Sequence, residues 1–335
     1  MHLVWSLSQL QHGTTFSFDC WGRPLVDAPA PYTLAGGYRF VLSGLKGDQQ
    51  FLKKTLCIDQ SWVSDNICWY CEVSVRLEPL DRRYSTQIMD VGRHTVTRNL
   101  MRSDADFVQM ARKSAWILVP GISLSRVWPD ILHVIDLTLA PEAAASALLE
   151  LTESQLPWSG TSQQSRLSAA YADYIAMCKN VGVRARAPPF QLDAIKANSQ
   201  RFPTFAQKHL SGAESVVLVR WLADVCAREA VRCQTQHANL RAAVFLALAS
   251  YRAVLSDADF YLTELELRSL EYWNDMYQDS LNCVDLSIIC FSTACRLSIM
   301  LRTCGLDLLL QVWLQRPFAT KRCSGRCDLS VISWR

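Results

Sequence analysis

The chain has 335 residues, of which 50% are hydrophobic and 19% are charged, and its net charge is +3. This length favours two domains, or one large domain with an insertion, and the apolar content is enough for a sizeable core. The net charge is too small to indicate nucleic-acid binding unless the basic residues are clustered.

The composition also bears on location. No run of 18 apolar residues occurs, so we expect no membrane partner. The N-terminus lacks the pattern of a secretory signal. We therefore expect the 13 cysteines to be reduced thiols in the nucleus or cytoplasm.

A predicted strand and a predicted helix meet at Asp48. In YRFVLSGLKGD (38–48), apolar and polar residues alternate as they do in a strand. The sequence QQFLKKTL that follows has an apolar stripe typical of a helix. Asp48 is therefore expected to be a helix N-cap with no metal, the usual role of aspartate at such a junction.

The stretch ICWYCE (67–72) places Cys68 and Cys71 two residues apart. This spacing suits one zinc ion, a redox pair or two buried thiols, and the lack of a thioredoxin-like setting disfavours redox chemistry. A zinc site needs about four ligands. Candidates for the others are Cys57, His94, His133, and Cys233 with His237, and nothing local decides between them.

Residues 76–102 are rich in arginine and have no apolar period, which predicts a loop. Arg82, Arg83 and Arg93 are the candidates for contacts with nucleic-acid phosphates. A solvated surface is the simpler interpretation, because acidic residues are interspersed among these arginines.

Helical patterns dominate from Ser103, a predicted N-cap. We expect Pro129 at the first position of a helix that carries Asp130 and His133, and Pro141 at the start of the next one. A spacing of three residues puts Asp130 and His133 on one helix face, either as a buried hydrogen-bonded pair or as a pair that orients a metal ligand. Further helices are predicted at 162–180, 213–235, 238–256 and 263–279.

The tail differs from the rest, because 281–335 contains six of the 13 cysteines and no glutamate or histidine. We therefore divide the chain into four parts. These are a core segment with the cysteine pair (1–75), a basic loop region (76–102), a helical domain (103–280) and an atypical Cys-rich basic tail that is expected to be poorly ordered (281–335).

Four stretches carry a family resemblance: GGYRFVLSGLKGDQQFL, ICWYCEV, VPGISLSRVWPDILHVIDLTLAP and the helix around AAYADYIAMCKNVGV. In order and spacing they resemble the CACTA-like cut-and-paste transposases with an RNase H-like fold. They are most similar to the transposon-like open reading frames of dinoflagellate genomes. The resemblance covers roughly residues 1–275.

The resemblance implies an α+β, predominantly α-helical fold: a partial RNase H-like α/β core on the N-terminal side with a large helical insertion. It implies DNA strand cleavage and transfer by two magnesium ions held by three carboxylates, of which Asp48 would be the second. Cys68 and Cys71 would supply half of a structural zinc site, and we take His133 as a further candidate ligand.

The sequence also departs from this family. The last histidine is His237 and the last glutamate is Glu271, so the tail contains neither the histidine pair nor the final catalytic glutamate of such enzymes. No clear strand carries an earlier catalytic aspartate, since Asp19 and Asp27 lie among glycines and prolines. We therefore expect an inner fragment of a degenerate transposase-like protein that is catalytically inactive, has lost the magnesium site and binds DNA weakly. The alternative is a helical scaffold that binds protein partners and has no catalytic activity.

Overall fold

The computed structural model describes residues 2–26, 32–34, 36, 38–39, 42–60, 69–71, 102–153, 157–195, 203–205, 209–259 and 262–283. These residues form a helix-dominated α+β fold with one small parallel sheet, which confirms the predicted predominance of helix. In chain order the elements are α1 (His2–His12), β1 (Leu45–Gly47), α2 (Gln49–Leu56), α3 (Asp104–Met110), β2 (Val127–Pro129), α4 (Ala140–Glu153), α5 (Gln163–Asn180), α6 (Gly212–Cys233), α7 (Gln236–Asp257) and α8 (Glu264–Cys283). A π-helical segment, Leu132–Leu139, runs directly into α4.

Local capping chemistry fixes where several helices begin. Ser103 and Ser211 cap α3 and α6 with reciprocal capping boxes, in which the serine hydroxyl accepts a backbone N–H and an acidic side chain accepts the serine N–H. Ser162 begins α5 with a capping box in which the Ser165 hydroxyl takes the place of the acid, and Thr235 caps α7. These contacts satisfy N–H groups that have no partner within the helix. The predicted N-cap at Ser103 is confirmed.

The sheet consists of β1 and β2 paired in parallel, with Leu45 opposite Val127 and Gly47 opposite Pro129. Glycines permit this close approach, because a Cβ on Gly44 would lie 2.6 Å from the Arg126 carbonyl oxygen. The strand predicted over 38–48 is confirmed only in its last three residues before Asp48. The predicted helical position of Pro129 is wrong: Pro129 ends β2, where the following N–H, that of Asp130, donates to the Gly47 carbonyl at 3.0 Å.

The segment after β2 is one continuous helix that changes register. The Ala140 N–H donates to the Ile135 carbonyl, five residues back, which is the π-helical pattern. The predicted start of an α-helix at Pro141 is confirmed within one residue, because α4 begins at Ala140, but the π-helical segment continues directly into it. A proline within an α-helix lacks a donor and its ring collides with the carbonyl four residues before it. The wider π turn before Pro141 accommodates both effects.

The predicted C-terminal helices are confirmed and form the main core. α7 packs along both α6 and α8, while α4 and the π-helical segment pack against α6. Between α5 and α6 the core is aromatic: Trp158 stacks on Trp221 at a centroid distance of 5.7 Å, and Tyr174 meets Trp221 edge to face. Large aromatic rings contribute much of the apolar area that such a core buries.

Two helical runs are long and apolar enough to cross a membrane by length and composition alone, Leu132–Glu153 and Gln236–Asp257. Two thirds of the first run's apolar window (67%) and 39% of the second's are buried inside the protein. This is weak evidence for membrane insertion, since core helices of other proteins meet the same test. The expectation of no membrane partner stays a prediction.

A buried ionic cluster joins α4 to α7. Glu150 accepts hydrogen bonds from Arg241 and, at 2.7 Å, from His237 Nε2. The Arg241 side chain is only 8% exposed and that of Glu150 17%. A buried guanidinium without its carboxylate is strongly unfavourable, so Glu150 stabilises the contact between the two helices.

We predict that Glu150→Gln lowers the free energy of unfolding by about 3 kcal/mol, because it leaves the Arg241 charge buried without a countercharge. Urea denaturation followed by circular dichroism measures this change. The matched control is Glu264→Gln, which breaks an ion pair with Arg268 whose two side chains are both 70% exposed and should change stability little. Equal losses in the two variants would contradict the prediction.

Candidate functional site

The structure brings together two features that are far apart in the sequence. Asp48 follows β1 and Asp130 follows β2, and because these strands are parallel neighbours, both aspartates lie at the same edge of the sheet. His133, on the first turn of the π-helical segment, lies between them: its Nδ1 is 2.7 Å from Asp130 Oδ2 and its Nε2 is 3.7 Å from Asp48 Oδ2. We call Asp48, Asp130 and His133 the carboxylate edge.

Asp48 uses its two carboxylate oxygens differently. Oδ1 accepts the Phe51 N–H at 2.6 Å and so caps α2, as the sequence predicted. Oδ2 is the atom that faces His133. The side chain is 33% exposed. Gly47, directly before it, has no room for a side chain, since a Cβ there would lie 2.2 Å from the Phe51 ring.

Asp130 is surrounded by donors. An ionised carboxylate only accepts hydrogen bonds, so His133 Nδ1 carries the proton and donates to it. Lys46 Nζ lies 3.5 Å from the other oxygen, Oδ1. Partial burial raises the pKa of Asp130, but the His133 hydrogen bond, the Lys46 charge and the Leu132 N–H together outweigh it and hold that pKa below its usual value.

The pair predicted at Asp130 and His133 is therefore hydrogen-bonded, but it is only partly buried, with side chains 19% and 39% exposed. Leu132, between them, is 43% exposed. It packs over Gly212, where a Cβ would lie 2.4 Å from its Cδ1. This contact places the first turn of α6 against the π-helical segment.

The carboxylate edge does not fit a catalytic magnesium site as it stands. Among the described residues, no group of three or more His, Cys, Asp or Glu side chains is arranged to hold a metal ion. Both carboxylates already contact basic side chains of the chain itself, His133 and Lys46. A hard cation such as Mg²⁺ needs those oxygens as ligands, so it would have to displace these contacts.

The zinc prediction stays a prediction, because Cys68 lies outside the described residues. Cys71 is fully buried. His133, its proposed partner, contacts the two aspartates. Of the other ligand candidates, His237 binds Glu150 and the Cys233 thiol lies 3.9 Å from Glu229. His94 and the predicted phosphate contacts Arg82, Arg83 and Arg93 also lie outside the described residues.

Asp136 is a feature that the sequence reasoning missed. It lies inside the π-helical segment, is 2% exposed and faces Arg252 of α7, with 3.1 Å between Asp136 Oδ1 and Arg252 Nε. Burial raises the pKa of Asp136 to about 6, against the opposing effect of the Arg252 charge. The signal in the sequence is the single acid among the apolar residues of HVIDLTL. A count of apolar residues over this stretch does not reveal it.

A cavity of about 460 Å³ lies between α5 and α6. Its wall combines the edge of Trp158 with two acid–arginine pairs, Arg228 with Asp173 at 3.6 Å and Arg232 with Glu229 at 3.5 Å. These charges neutralise each other, so the cavity has no net preference for an anion or a cation. It is not connected to the carboxylate edge by any shared residue.

Comparisons of the chain with family models, curated proteins and solved structures gave no match. The similarity to CACTA-like transposases therefore depends on the motifs in the sequence.

We predict that Asp48→Ala destabilises the protein by about 1 kcal/mol, because α2 loses its N-cap. Asp48→Ser keeps a capping oxygen and should cost less, although it equally removes the carboxylate from His133. Denaturant unfolding of the two variants separates the capping role from the role at the carboxylate edge. Equal destabilisation by alanine and serine would show that the cap contributes nothing.

We also predict that stability falls as the pH rises from 4 to 7. In that window folded Asp136 binds a proton that the unfolded chain has already released, which amounts to about 3 kcal/mol for a shift from 3.8 to about 6. Asp136→Asn should remove most of this slope, whereas Asp224→Asn on the exposed face of α6 should keep it. Chemical denaturation at several pH values measures it, and identical slopes in the wild type and Asp136→Asn would refute the assignment.

Proposed function

We propose that this chain is a degenerate transposase-like protein that keeps two acids of an ancestral metal-dependent DNA strand-transfer site and is catalytically inactive. The observation that carries the proposal is the parallel pairing of β1 and β2, which puts Asp48 and Asp130 at one sheet edge. In the sequence, Asp130 stood out only as the partner of His133; its position beside Asp48 makes it the better candidate for a second acid.

The position of these acids supports a site that once bound a ligand. In α/β structures, ligands bind at the carboxyl ends of parallel strands, because side chains from neighbouring strands converge there. Strand cleavage and transfer require carboxylates that hold divalent ions against the attacking and leaving oxygens. A partial RNase H-like core around β1 and β2, with the helices from α4 to α8 as its insertion, is part of the same proposal.

The contacts of the carboxylate edge support the loss of activity. His133 lies between the two acids and Lys46 lies beside Asp130, so the chain's own basic groups occupy the space that a divalent ion would need. Among the described residues no third carboxylate joins the pair to form a metal-binding group. The carboxylate edge is therefore a cluster in which Asp48 and Asp130 contact His133 and Lys46 of the same chain.

The second candidate is a helical scaffold for protein partners. The helical domain favours it through large apolar side chains that stay exposed, including Val231 on α6 and Leu265 on α8, each 76% exposed. Scattered exposed apolar residues are common in monomeric proteins, so this observation is weaker than the geometry of the carboxylate edge.

The test measures Mn²⁺ binding from the electron paramagnetic resonance signal of the free ion, together with cleavage of a DNA duplex in Mg²⁺ or Mn²⁺. We expect no cleavage or joining by the wild type. We expect His133→Ala to bind Mn²⁺ at least about tenfold more tightly, because removing the imidazole frees oxygens of both acids, a change worth about 1.4 kcal/mol. The double variant Asp48→Asn with His133→Ala should lose that gain.

The matched control is His237→Ala, which removes a histidine bound to one glutamate and should not change Mn²⁺ binding. DNA cleavage by the wild type that disappears in Asp48→Ala would overturn the proposed inactivity. Unchanged Mn²⁺ binding in His133→Ala would refute the remnant metal site. Binding of the wild type to duplex DNA at low salt, falling steeply as salt rises, would favour residual DNA contact over the scaffold, since counterion release has that signature.

A further inference from the structure

The π-helical segment has a length that local sequence does not explain. Leu132–Leu139 spans eight residues, whereas π-helical geometry usually occurs as a single widened turn and often near functional sites. The first turn of the segment carries His133, and Asp130 lies two residues before the segment begins. Interactions other than the backbone hydrogen bonds of the segment must therefore stabilise this register.

Two features of the local sequence help to stabilise the π-helical register. The Thr138 hydroxyl donates to the His133 carbonyl at 2.7 Å, five residues back, which repeats the π-helical spacing with a side chain. Pro141 has no N–H to donate to a carbonyl of the preceding turn, which weakens the competing α-register. Both features favour the wide turn, but neither fixes the rotation of the segment about the helix axis.

The third contact is tertiary and centres on Asp136. Its carboxylate pairs with Arg252 of α7, and its Cβ packs against Gly212 of α6, where an added Cβ would lie 3.3 Å away. Asp136 is three residues from His133. Asp136 is thus the residue, close to the carboxylate edge, through which the segment is held to α7.

A π turn contains one more residue than an α turn, and one residue corresponds to about 100° around the helix axis. If the segment relaxed into the α-register, the side chains before Asp136 would rotate by about that angle relative to α4. His133 would then leave the space between Asp48 and Asp130. The position of the imidazole at the sheet edge depends on the register of the turns behind it.

We infer that the buried Asp136–Arg252 ion pair is a positioning device: it holds the π-register and thereby places His133 between Asp48 and Asp130. No hydrogen bond or ion pair described above joins Asp136 or Arg252 to the carboxylate edge, although, besides burial, the charge of Asp130 helps to raise the pKa of Asp136. The inference rests on the proposed function in treating the carboxylate edge as a former metal site. The placement of His133 does not depend on that function and is tested separately.

The test follows the imidazole nitrogens by NMR in the full-length protein labelled with ¹⁵N-histidine, with His133 assigned through His133→Gln. We expect Asp136→Asn and Arg252→Gln to shift the His133 ring nitrogens towards the values of an unpaired imidazole. Arg252→Lys keeps a positive charge opposite Asp136 and should retain most of the wild-type signal. Arg252 is 24% exposed, so its variants should fold even where Asp136→Asn does not.

The control uses the ion pair between Glu150 of α4 and Arg241 of α7. Glu150→Gln should shift the signals of His237, which Glu150 contacts, and leave those of His133 in place. Unchanged His133 signals in Asp136→Asn and Arg252→Gln, or an equal change in Glu150→Gln, would overturn the inference. If His133 moves as expected while the Mn²⁺ and DNA experiments fail, the proposed function is lost and the positioning role stands.

Discussion

The parallel pairing of β1 with β2 is the contact on which the candidate site depends. Only three residues pair on each strand, so backbone hydrogen bonds alone would not hold the strands together. Burial of Leu45 and Val127 and the close approach of Gly44 to Arg126 and Trp128 complete the contact. Since both strands run in one direction, α2 and the π-helical segment leave from the same edge, and the acids that begin them become neighbours.

The helical domain extends this edge into the core through one long helical run. Its N-terminal end carries Asp130 and His133, and its body, the π-helical segment with α4, contacts α7 twice through buried ion pairs. One pair joins Asp136 to Arg252 and the other joins Glu150 to Arg241. Buried ion pairs add little net stability compared with apolar contacts, but each is costly to break, so they favour one register over its neighbours.

Much of the helical part could be predicted from the sequence, because caps and apolar periods are local signals. The helices from α5 to α8 begin and end within a few residues of their predicted limits, and Ser103 acts as an N-cap as expected. The error at Pro129 has a physical cause. Proline suits a helix start, a strand end and a widened helical turn alike, and only the tertiary partner decides which of these forms.

The sequence could not predict that Asp48 meets Asp130 and His133, because no periodicity encodes the pairing of two short strands that lie far apart in the chain. On the sequence alone, Asp48 and the Asp130–His133 pair are therefore two separate features, each with its own structural alternative. For the same reason the buried partner of Asp136 on α7 could not be anticipated. A local pattern shows that an acid interrupts an apolar run, but not which basic residue faces it.

The geometry of Asp48 removes the opposition between a capping aspartate and a functional one. Its Oδ1 accepts the Phe51 N–H, while its Oδ2 remains directed at His133, so the two roles use different atoms. Asp130 divides its oxygens in the same way, with Oδ2 towards His133 and Oδ1 towards Lys46 and the Leu132 N–H. A carboxylate fixed by a backbone N–H is held in one orientation, which is what a cation-binding edge requires. In this chain the fixed oxygens contact the His133 imidazole and the Lys46 ammonium group instead of a metal ion. These contacts are the physical reason for the proposal that the carboxylate edge is a former metal site whose remaining role is structural.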